Sequence, residues 1–279
     1  MNEVRVNSWN ELHDILFKDW LNKKIGRYRA PHAFRGLSDS SYKLKTTLMR
    51  LSGPYTKLES HLLVNFRRYS GLETVKFDSL WYWMSLGQHH GLPTRLLDWT
   101  YSPLVAMHFA TANIQKFHID GVIWVVDFSK TQEFLPDKLK VASEKIRSPV
   151  FPIETLDDVI TGDTQSLNNV IEALNKLKSM SKSKFVVFME PPSIDDRIQN
   201  QFALFSFMSD ETLSLDDWLK KQDAPDLWRK IIIPASLKGE IRDKLDQSNI
   251  SERILFPGLD SVSKWLARHY STINKKPKA

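Results

Sequence analysis

One segment, residues 87–100, restricts the possible architecture of this chain more than any other. It reads Gly-Gln-His-His-Gly-Leu-Pro-Thr-Arg-Leu-Leu-Asp-Trp-Thr. Glycine and proline in its first half indicate a sharp turn of the backbone. The apolar run that follows, residues 102–110, has the pattern of a buried helix. A polar cluster on a turn, held by a buried element behind it, is typical of a binding or catalytic site.

The composition excludes several classes of protein and site. The chain of 279 residues has no cysteine, which excludes disulfides, thiol nucleophiles and zinc sites with thiolate ligands. No apolar run approaches the ~20 residues of a membrane-spanning helix, and the N-terminus lacks the apolar stretch of a signal peptide. We therefore expect a cytoplasmic protein without membrane contact. The net charge of +6 is compatible with a nucleic-acid-binding surface but does not require one.

Hydrophobic periodicity and end signals predict an α+β fold. A helix is expected to begin at Ser8, because Ser8 and Glu11 have the spacing of a capping box. Further helices are predicted over 59–69, 77–86, 102–115, 164–179, 236–247 and 260–270. Strands are predicted over 32–36, 121–127, 184–189, 202–208 and 228–233. These elements do not alternate as βαβ units do, so we predict one domain with a central mixed or antiparallel sheet and several surrounding helices.

The first candidate for chemistry is Arg35, between Phe34 and Gly36 at the end of a predicted strand. An arginine there can present its guanidinium to a phosphate or carboxylate, and the following glycine would let a ligand approach the backbone. The alternative is an ion pair between Arg35 and Asp39 within a turn. These residues alone favour the alternative, because most charged residues in turns are simply solvated.

The second candidate is the opening segment itself. His89 and His90 have the chemistry of general acids or bases, and Asp98 could accept hydrogen bonds from a ligand hydroxyl or from Arg95. The alternative is that Arg95 pairs with Asp98 and the histidines cap a turn. No metal is expected, because the chain has no His-x-His or His-x₃-His pair and adjacent histidines usually point apart.

A third polar stretch, residues 195–201, lies directly before a predicted strand and includes Arg197 and Gln201. It is either part of a site or a solvated loop. Glu190 is a further candidate carboxylate at a strand end. The motifs of P-loop phosphoryl transfer, of Rossmann cofactor binding and of serine hydrolases do not occur in the sequence.

Together these residues resemble the FRG domain. The resemblance is carried by Phe34-Arg35-Gly36, by residues 88–100, by Ser102-Pro103 with the apolar helix behind it, by Arg197 with Gln201-x-Ala203-x-Phe205, and by residues 255–260. It implies an FRG domain over residues 30–265. An N-terminal helix over 1–29 would pack on it, and a C-terminal helix end with a basic tail would occupy 266–279.

The order of these motifs is similar to that of ADP-ribosyltransferases, and the similarity implies that fold. A first strand would carry Arg35 to hold NAD, residues 94–100 would form a second strand, and Gln201 would occupy the third position. The implied catalytic residues are Arg35, His90, Asp98 and Gln201, with His90 preferred to His89. The implied NAD contacts are Arg35, Gly36, Gln88, His89, Thr94, Arg95, Trp99, Thr100 and Arg197.

Glutamine at the third position departs from the glutamate that this fold often carries. Glutamine can hydrogen-bond a ribose hydroxyl but cannot act as a carboxylate base. Either the chemistry is weakened, or His89, His90, Asp98 or Glu190 takes the acid/base role, or the fold serves another ligand.

The resemblance implies an enzyme that cleaves NAD and transfers ADP-ribose to a protein or nucleic-acid acceptor, without a metal. Such chemistry suits a bacterial toxin or effector, for example in defence against phage. Two alternatives remain open at this point. One is a non-catalytic module that binds a nucleotide or nucleic acid through its arginines. The other is a metal-independent nuclease that uses His89 or His90.

Overall fold

A computed structural model describes residues 2–18, 20–23, 25–71, 78–162 and 170–272. Some predictions fall outside these residues, namely the start of a helix at Phe77, the part of a helix over 164–169 and the basic tail from residue 273 onward. No helix in the described part of the chain is long and apolar enough to cross a membrane.

The centre of the fold is a seven-stranded sheet with the order β1-β9-β6-β4-β5-β8-β7. All neighbouring strands are antiparallel except β1 and β9, which are parallel. The strands are β1 (Glu3–Arg5), β4 (His32–Leu37), β5 (Leu97–Thr100), β6 (Gly121–Asp127), β7 (Val186–Met189), β8 (Ala203–Met208) and β9 (Trp228–Ile233). A separate hairpin pairs β2 (Leu21–Asn22) with β3 (Arg27–Tyr28). The predicted α+β class with a mixed, largely antiparallel sheet is confirmed.

Helices cover both faces of this sheet. They are α1 (Trp9–Leu16), α2 (Tyr55–Ser70), α3 (Leu80–His89), α4 (Pro103–Thr111), α5 (Asp137–Ile146), α6 (Ile153–Leu156), α7 (Val170–Ser179), α8 (Asp196–Asn200), α9 (Leu215–Leu219), α10 (Lys238–Gln247), α11 (Glu252–Leu255) and α12 (Leu259–His269). The predicted cap is confirmed, since the Ser8 side chain accepts a hydrogen bond from the Glu11 amide at the start of α1. β1, the hairpin, α5, α6, α8 and α11 were not predicted.

Strand β6 lies inside the sheet, between β9 and β4, and is buried on both faces, as its continuous apolar sequence predicts. Val122, Trp124 and Val126 pack into one apolar cluster, whereas Ile123 and Val125 pack into another. The second cluster joins the sheet to α1, α4 and α10. This packing fixes the position of α4 against strand β4.

Gly36 is required by that packing. A methyl group at Gly36 would overlap the carbonyl oxygen of Ala106 and lie 2.7 Å from the amide nitrogen of Ala110, both in α4. The same helix excludes a side chain at Gly121, where a methyl group would lie 2.7 Å from the Ala110 carbonyl oxygen. The absence of a side chain at Gly36 therefore serves contact between strand and helix. Gly36 also lines the cleft described below, so the expectation that it lets a ligand approach the backbone stays a prediction.

The opening segment folds differently from its prediction at two points. Helix α3 continues to His89, beyond its predicted end at residue 86, so Gln88 and His89 are helical and precede the turn. Strand β5 begins at Leu97, so residues 94–96 precede the strand instead of forming part of it. The turn that joins α3 to this stretch uses Gly91, whose φ of 85° favours glycine.

Candidate functional site

A cleft opens where β4 and β5 separate. The two strands pair only at Phe34 and Thr100, whereas each pairs along its length with its other neighbour. The cleft has a volume of about 310 Å³. Its lining includes the central residues of both strands, the end of α3 and residues of α8 and β8, among them Arg35, Gly36, Arg50, Gln88, His89, Asp98, Trp99, Thr100, Arg197 and Gln201.

Arg35 spans the gap between the two strands. Its guanidinium Nη1 donates to the backbone carbonyl of Asp98 and lies 3.6 Å from the Asp98 carboxylate. Burial lowers the pKa of Arg35, Asp98 opposes this shift, and the charge of Arg50 lowers the pKa further. Arginine nevertheless keeps its charge in proteins. Its Nε atom is buried and has no hydrogen-bond partner in the described part of the chain, so one donor in the cleft wall is unused.

The alternative pairing of Arg35 with Asp39 is not found. Asp39 accepts a hydrogen bond of 2.9 Å from Lys116 and another of 2.6 Å from the Ser41 hydroxyl. Hydrogen bonds from Ser41 and Lys116 lower the pKa of Asp39 to about 2. The Asp39 carboxylate is thus occupied by Ser41 and Lys116, and Arg35 is not paired with it.

Asp98 is held from its other side by the end of α3. Gln88 donates from Nε2 to the Asp98 carboxylate at 3.0 Å. The orientation of the Gln88 amide is set in turn by Thr94, whose hydroxyl donates to Oε1 at 2.7 Å. Thr94 is fully buried. It therefore belongs to the site as a support beneath Gln88, and it is absent from the cleft lining.

His89, and not His90, lies at the cleft. His89 Nε2 is 2.7 Å from the Asp195 carboxylate, and the His89 side chain is 8% exposed. Burial lowers the pKa of His89, and Arg197 and His90 lower it further, whereas Asp195 raises it. His90 follows the last turn of α3, is exposed and does not line the cleft. The preference for His90 assumed an extended chain, but the residues are at a helix end, where consecutive side chains diverge by about 100°.

The far wall of the cleft is formed by Arg197 and Gln201, which lie on and just after α8. Arg197 donates to the His89 carbonyl at 3.3 Å, and its guanidinium lies 5.0 Å from the centre of the Phe256 ring. Gln201 donates from Nε2 to the Leu255 carbonyl at 2.9 Å. The residues around α11 thus orient both side chains, and the Gln201 amide oxygen keeps its capacity to accept a hydrogen bond.

Arg95 does not reach the cleft, which corrects its expected role as an NAD contact. Its side chain is 2% exposed and pairs through Nε with Glu59 Oε2 at 2.6 Å. The Arg95 amide also donates to Glu59 at 2.8 Å. The proposed partner of Arg95 within the opening segment, Asp98, is instead near Arg35. Arg95 and Glu59 therefore anchor the segment to α2.

Trp99 and Thr100 line the cleft with their strand and also make structural hydrogen bonds. Trp99 donates to the Ser206 hydroxyl at 2.8 Å, and Thr100 donates to the Gln201 carbonyl at 2.7 Å. Glu190 accepts a hydrogen bond of 3.1 Å from Tyr101 and is not part of the lining.

Sequence reasoning missed Arg50 and the pairing of Asp195 with His89. Arg50 ends a short 3-10 helix, Leu48–Arg50, which no motif in the sequence marks. The stretch 195–201 was recognised as polar, but its contact with α3 depends on the tertiary fold. Among the described residues, no group of three or more His, Asp or Glu could hold a metal ion.

Residues 30–118 match the FRG domain family. The chain therefore contains an FRG domain over these residues, as the motifs indicated, and the match includes β4, α3, β5 and α4. The extension of the domain to residue 265 stays a prediction. No curated protein and no solved structure matches the chain.

Proposed function

We propose that this chain with its FRG domain is an ADP-ribosyltransferase-like enzyme that binds NAD in the cleft and transfers ADP-ribose to a macromolecule. One observation carries the proposal. The first and second positions implied by the motif order lie on the adjacent strands β4 and β5, the third lies directly before the next strand, β8, and all three line one cleft. They are Arg35 on β4, Asp98 to Thr100 on β5, and Gln201 just before β8.

The charges of the cleft suit a diphosphate. Arg35, Arg50 and Arg197 all line it, and guanidinium groups bind phosphate oxygens through paired hydrogen bonds. Arg35 offers a buried Nε without a partner among the described residues, and the proximity of Arg50 lowers its pKa. Two cations that repel each other across a cleft are both stabilised by an anion bound between them.

The remaining polar groups suit a ribose. The Gln201 amide oxygen can accept a hydrogen bond from a ribose hydroxyl, since its nitrogen is already bonded to the Leu255 carbonyl. The volume of about 310 Å³ is at the small end of ligand-binding pockets. The enclosed part therefore accommodates one half of NAD, and the open edge is left for the other half and for the acceptor.

In the proposed reaction the bond between ribose C1′ and the nicotinamide nitrogen breaks, and neutral nicotinamide leaves with the bonding electron pair. The acceptor nucleophile forms a new bond to C1′ and releases its proton. The ribose carries positive charge in the transition state, which a fixed negative charge stabilises. Asp98 supplies that charge in place of the carboxylate that Gln201 lacks, and 56% of its side chain is exposed to the cleft and solvent.

The proposal is tested by incubating the full-length protein with NAD and a cell lysate, and by measuring nicotinamide release and transfer of labelled ADP-ribose. We expect Arg35→Ala to reduce both by about 10- to 100-fold, the effect of losing a charged hydrogen bond. The control is Arg68→Ala, an exposed arginine on α2. The proposal is wrong if the unaltered protein releases no nicotinamide and labels no acceptor.

A second candidate is a module that binds a nucleotide without turnover. It is favoured by the glutamine at position 201 and by the pairing of Asp98 with Arg35, which reduces the free negative charge of the cleft. A rise in melting temperature with ADP or NAD, in the absence of nicotinamide release, supports this candidate by mass action. Loss of the rise in Arg35→Ala then locates the nucleotide in the cleft.

A further inference from the structure

We infer that His89 and Asp195 form a catalytic dyad that removes the proton from the acceptor nucleophile. The inference rests on the proposed transfer reaction and names the base that this reaction needs. His89 lines the cleft from the end of α3, and Asp195 approaches it from the start of α8. The pair is separated in sequence by more than a hundred residues, and no motif joins its members.

Asp195 is fixed through both of its carboxylate oxygens. Oδ1 accepts a hydrogen bond of 3.2 Å from the Ile198 amide and so caps α8. Oδ2 lies 2.7 Å from Nε2 of His89. A carboxylate held in this way orients the imidazole ring, which is how an acidic partner supports a histidine base.

The contact between Nε2 of His89 and Oδ2 of Asp195 determines which nitrogen of His89 is the base. A carboxylate accepts, so Nε2 carries the proton, and in the neutral ring Nδ1 is left with a free lone pair. Among the described residues, Nδ1 of His89 makes no hydrogen bond, and it is not among the unpartnered polar atoms that are fully shielded from solvent. Because His89 lines the cleft, we assign Nδ1 as the atom that takes the proton of the acceptor.

Burial keeps the His89 ring neutral until it accepts a proton. Burial is the main cause that lowers the pKa of His89, and Arg197 and His90 also lower it. Asp195 raises it and so opposes them. Because the net shift is downward from 6.5, the ring is neutral at pH 7. Once the ring is protonated, the adjacent carboxylate stabilises the imidazolium.

The step is balanced as follows. The acceptor atom that carries the proton forms a bond to ribose C1′ as the bond from C1′ to nicotinamide breaks. Nicotinamide takes the bonding electron pair, and the acceptor proton moves to Nδ1 of His89. Asp195 keeps its negative charge throughout, and the proton later passes to water.

The test compares His89→Ala with the unaltered protein in transfer of labelled ADP-ribose, with and without added imidazole. General base catalysis contributes about 10²- to 10⁴-fold, so we expect at least a 100-fold loss. Added imidazole should restore part of this activity, which a merely structural role of His89 would not allow. The control is His61→Ala, an exposed histidine on α2.

Asp195→Asn is the second variant. Asparagine caps helices as well as aspartate does, so α8 should remain folded. Without the carboxylate, the cause that raises the pKa of His89 is removed, and the acid limb of the pH profile should move to lower pH. The maximal transfer rate should fall, while the KM for NAD should change by less than about threefold.

The outcomes separate the two proposals. If the unaltered protein transfers ADP-ribose and His89→Ala does so equally well, or if His90→Ala alone abolishes transfer, the dyad is wrong and the proposed function stands. If loss in His89→Ala is not restored by imidazole and the pH profile of Asp195→Asn is unchanged, His89 is not the base. Absence of nicotinamide release from the unaltered protein overturns both.

Discussion

The guanidinium of Arg35 interacts with two different oxygens of Asp98, the backbone carbonyl and the carboxylate at 3.6 Å. The first contact joins the two strands at the point where their pairing ends. The second places a negative charge beside a cation that we propose binds phosphate. A substitution can remove the carboxylate charge without removing the carbonyl, so the structural and chemical contributions of Asp98 can be separated.

We predict that Asp98→Asn binds ADP more tightly and cleaves NAD more slowly. Removal of a negative charge next to Arg35 strengthens the binding of an anion there. At the effective dielectric of a partly exposed site, we expect the affinity for ADP to rise by about a few-fold. The same change removes the charge that stabilises the ribose cation, so nicotinamide release should fall at least tenfold. Calorimetry with ADP and release assays with NAD measure the two effects.

Asp14→Asn is the matched control, because this aspartate on α1 has 83% of its side chain exposed. It should alter neither quantity. Weaker ADP binding by Asp98→Asn would show that the carboxylate orients Arg35 for the phosphate, contrary to our interpretation.

Thr94→Val is expected to affect the cleft through Gln88. The variant keeps the shape of the side chain but removes the hydroxyl that donates to Gln88 and accepts from the Leu96 amide at 3.1 Å. The loss should lower the free energy of unfolding by about 1–3 kcal/mol. The Gln88 amide is then free to rotate away from Asp98, and NAD turnover should fall.

Thr131→Val provides the comparison for this variant. Thr131 is also buried and donates to the Phe128 carbonyl at 2.8 Å, and it does not line the cleft. Chemical denaturation should show comparable destabilisation in both variants. Equal turnover in the two would mean that Thr94 has no role beyond stability.

The buried pair of Arg95 and Glu59 should contribute to stability and not to ligand binding. Glu59 is fully buried, and removing one member of a buried pair typically costs about 3–5 kcal/mol because the other charge is left unpaired. We expect Glu59→Gln to unfold at a lower denaturant concentration. ADP affinity, measured where the variant is still folded, should equal that of the unaltered protein.

Replacing both members with apolar residues, Glu59→Leu with Arg95→Met, should recover much of the lost stability, since no unpaired charge remains. A change in ADP affinity of more than about threefold in the folded double variant would show that Arg95 contributes to ligand binding.

The sequence predicted those helices and strands whose signals lie within a few neighbouring residues. Ser8 and Glu11, which form the cap of α1, are three residues apart. The continuous apolar sequence of β6 indicates a strand that is buried on both faces. The polar residues at position 35 and over 88–100 likewise mark their site within short windows.

The wrong assignments depended on long-range packing or on a helix end that the sequence does not mark. Arg95 and Arg35 are the same residue type, and Arg95 is kept out of the cleft by its ion pair with Glu59 on α2. His89 was placed second to His90 because the sequence does not mark the last residue of α3. No spacing rule connects His89 with Asp195, since α3 and α8 meet only in the folded chain.

The last prediction concerns acid stability and the buried His108 of α4. His108 is 1% exposed, and its Nδ1 lies 2.7 Å from Nη1 of Arg242. Burial, and then the charge of Arg242, lower the pKa of His108 to about 3. The folded protein therefore keeps this ring neutral at a pH at which the unfolded chain, with a pKa of about 6.5, takes up a proton. Its contribution is present above about pH 6.5 and is lost as the pH falls towards 3.

Between pH 7 and pH 5 the free energy of unfolding should consequently fall by about 2 kcal/mol through His108 alone. In His108→Gln the amide oxygen can still accept from Arg242, but the side chain does not titrate. As the pH falls from 7 to 5, the unaltered protein should thus lose about 2 kcal/mol of stability relative to this variant. His61→Gln, at an exposed position of α2, should leave the pH dependence unchanged. Parallel stability curves for the unaltered protein and His108→Gln would mean that His108 is not held neutral by its burial against Arg242.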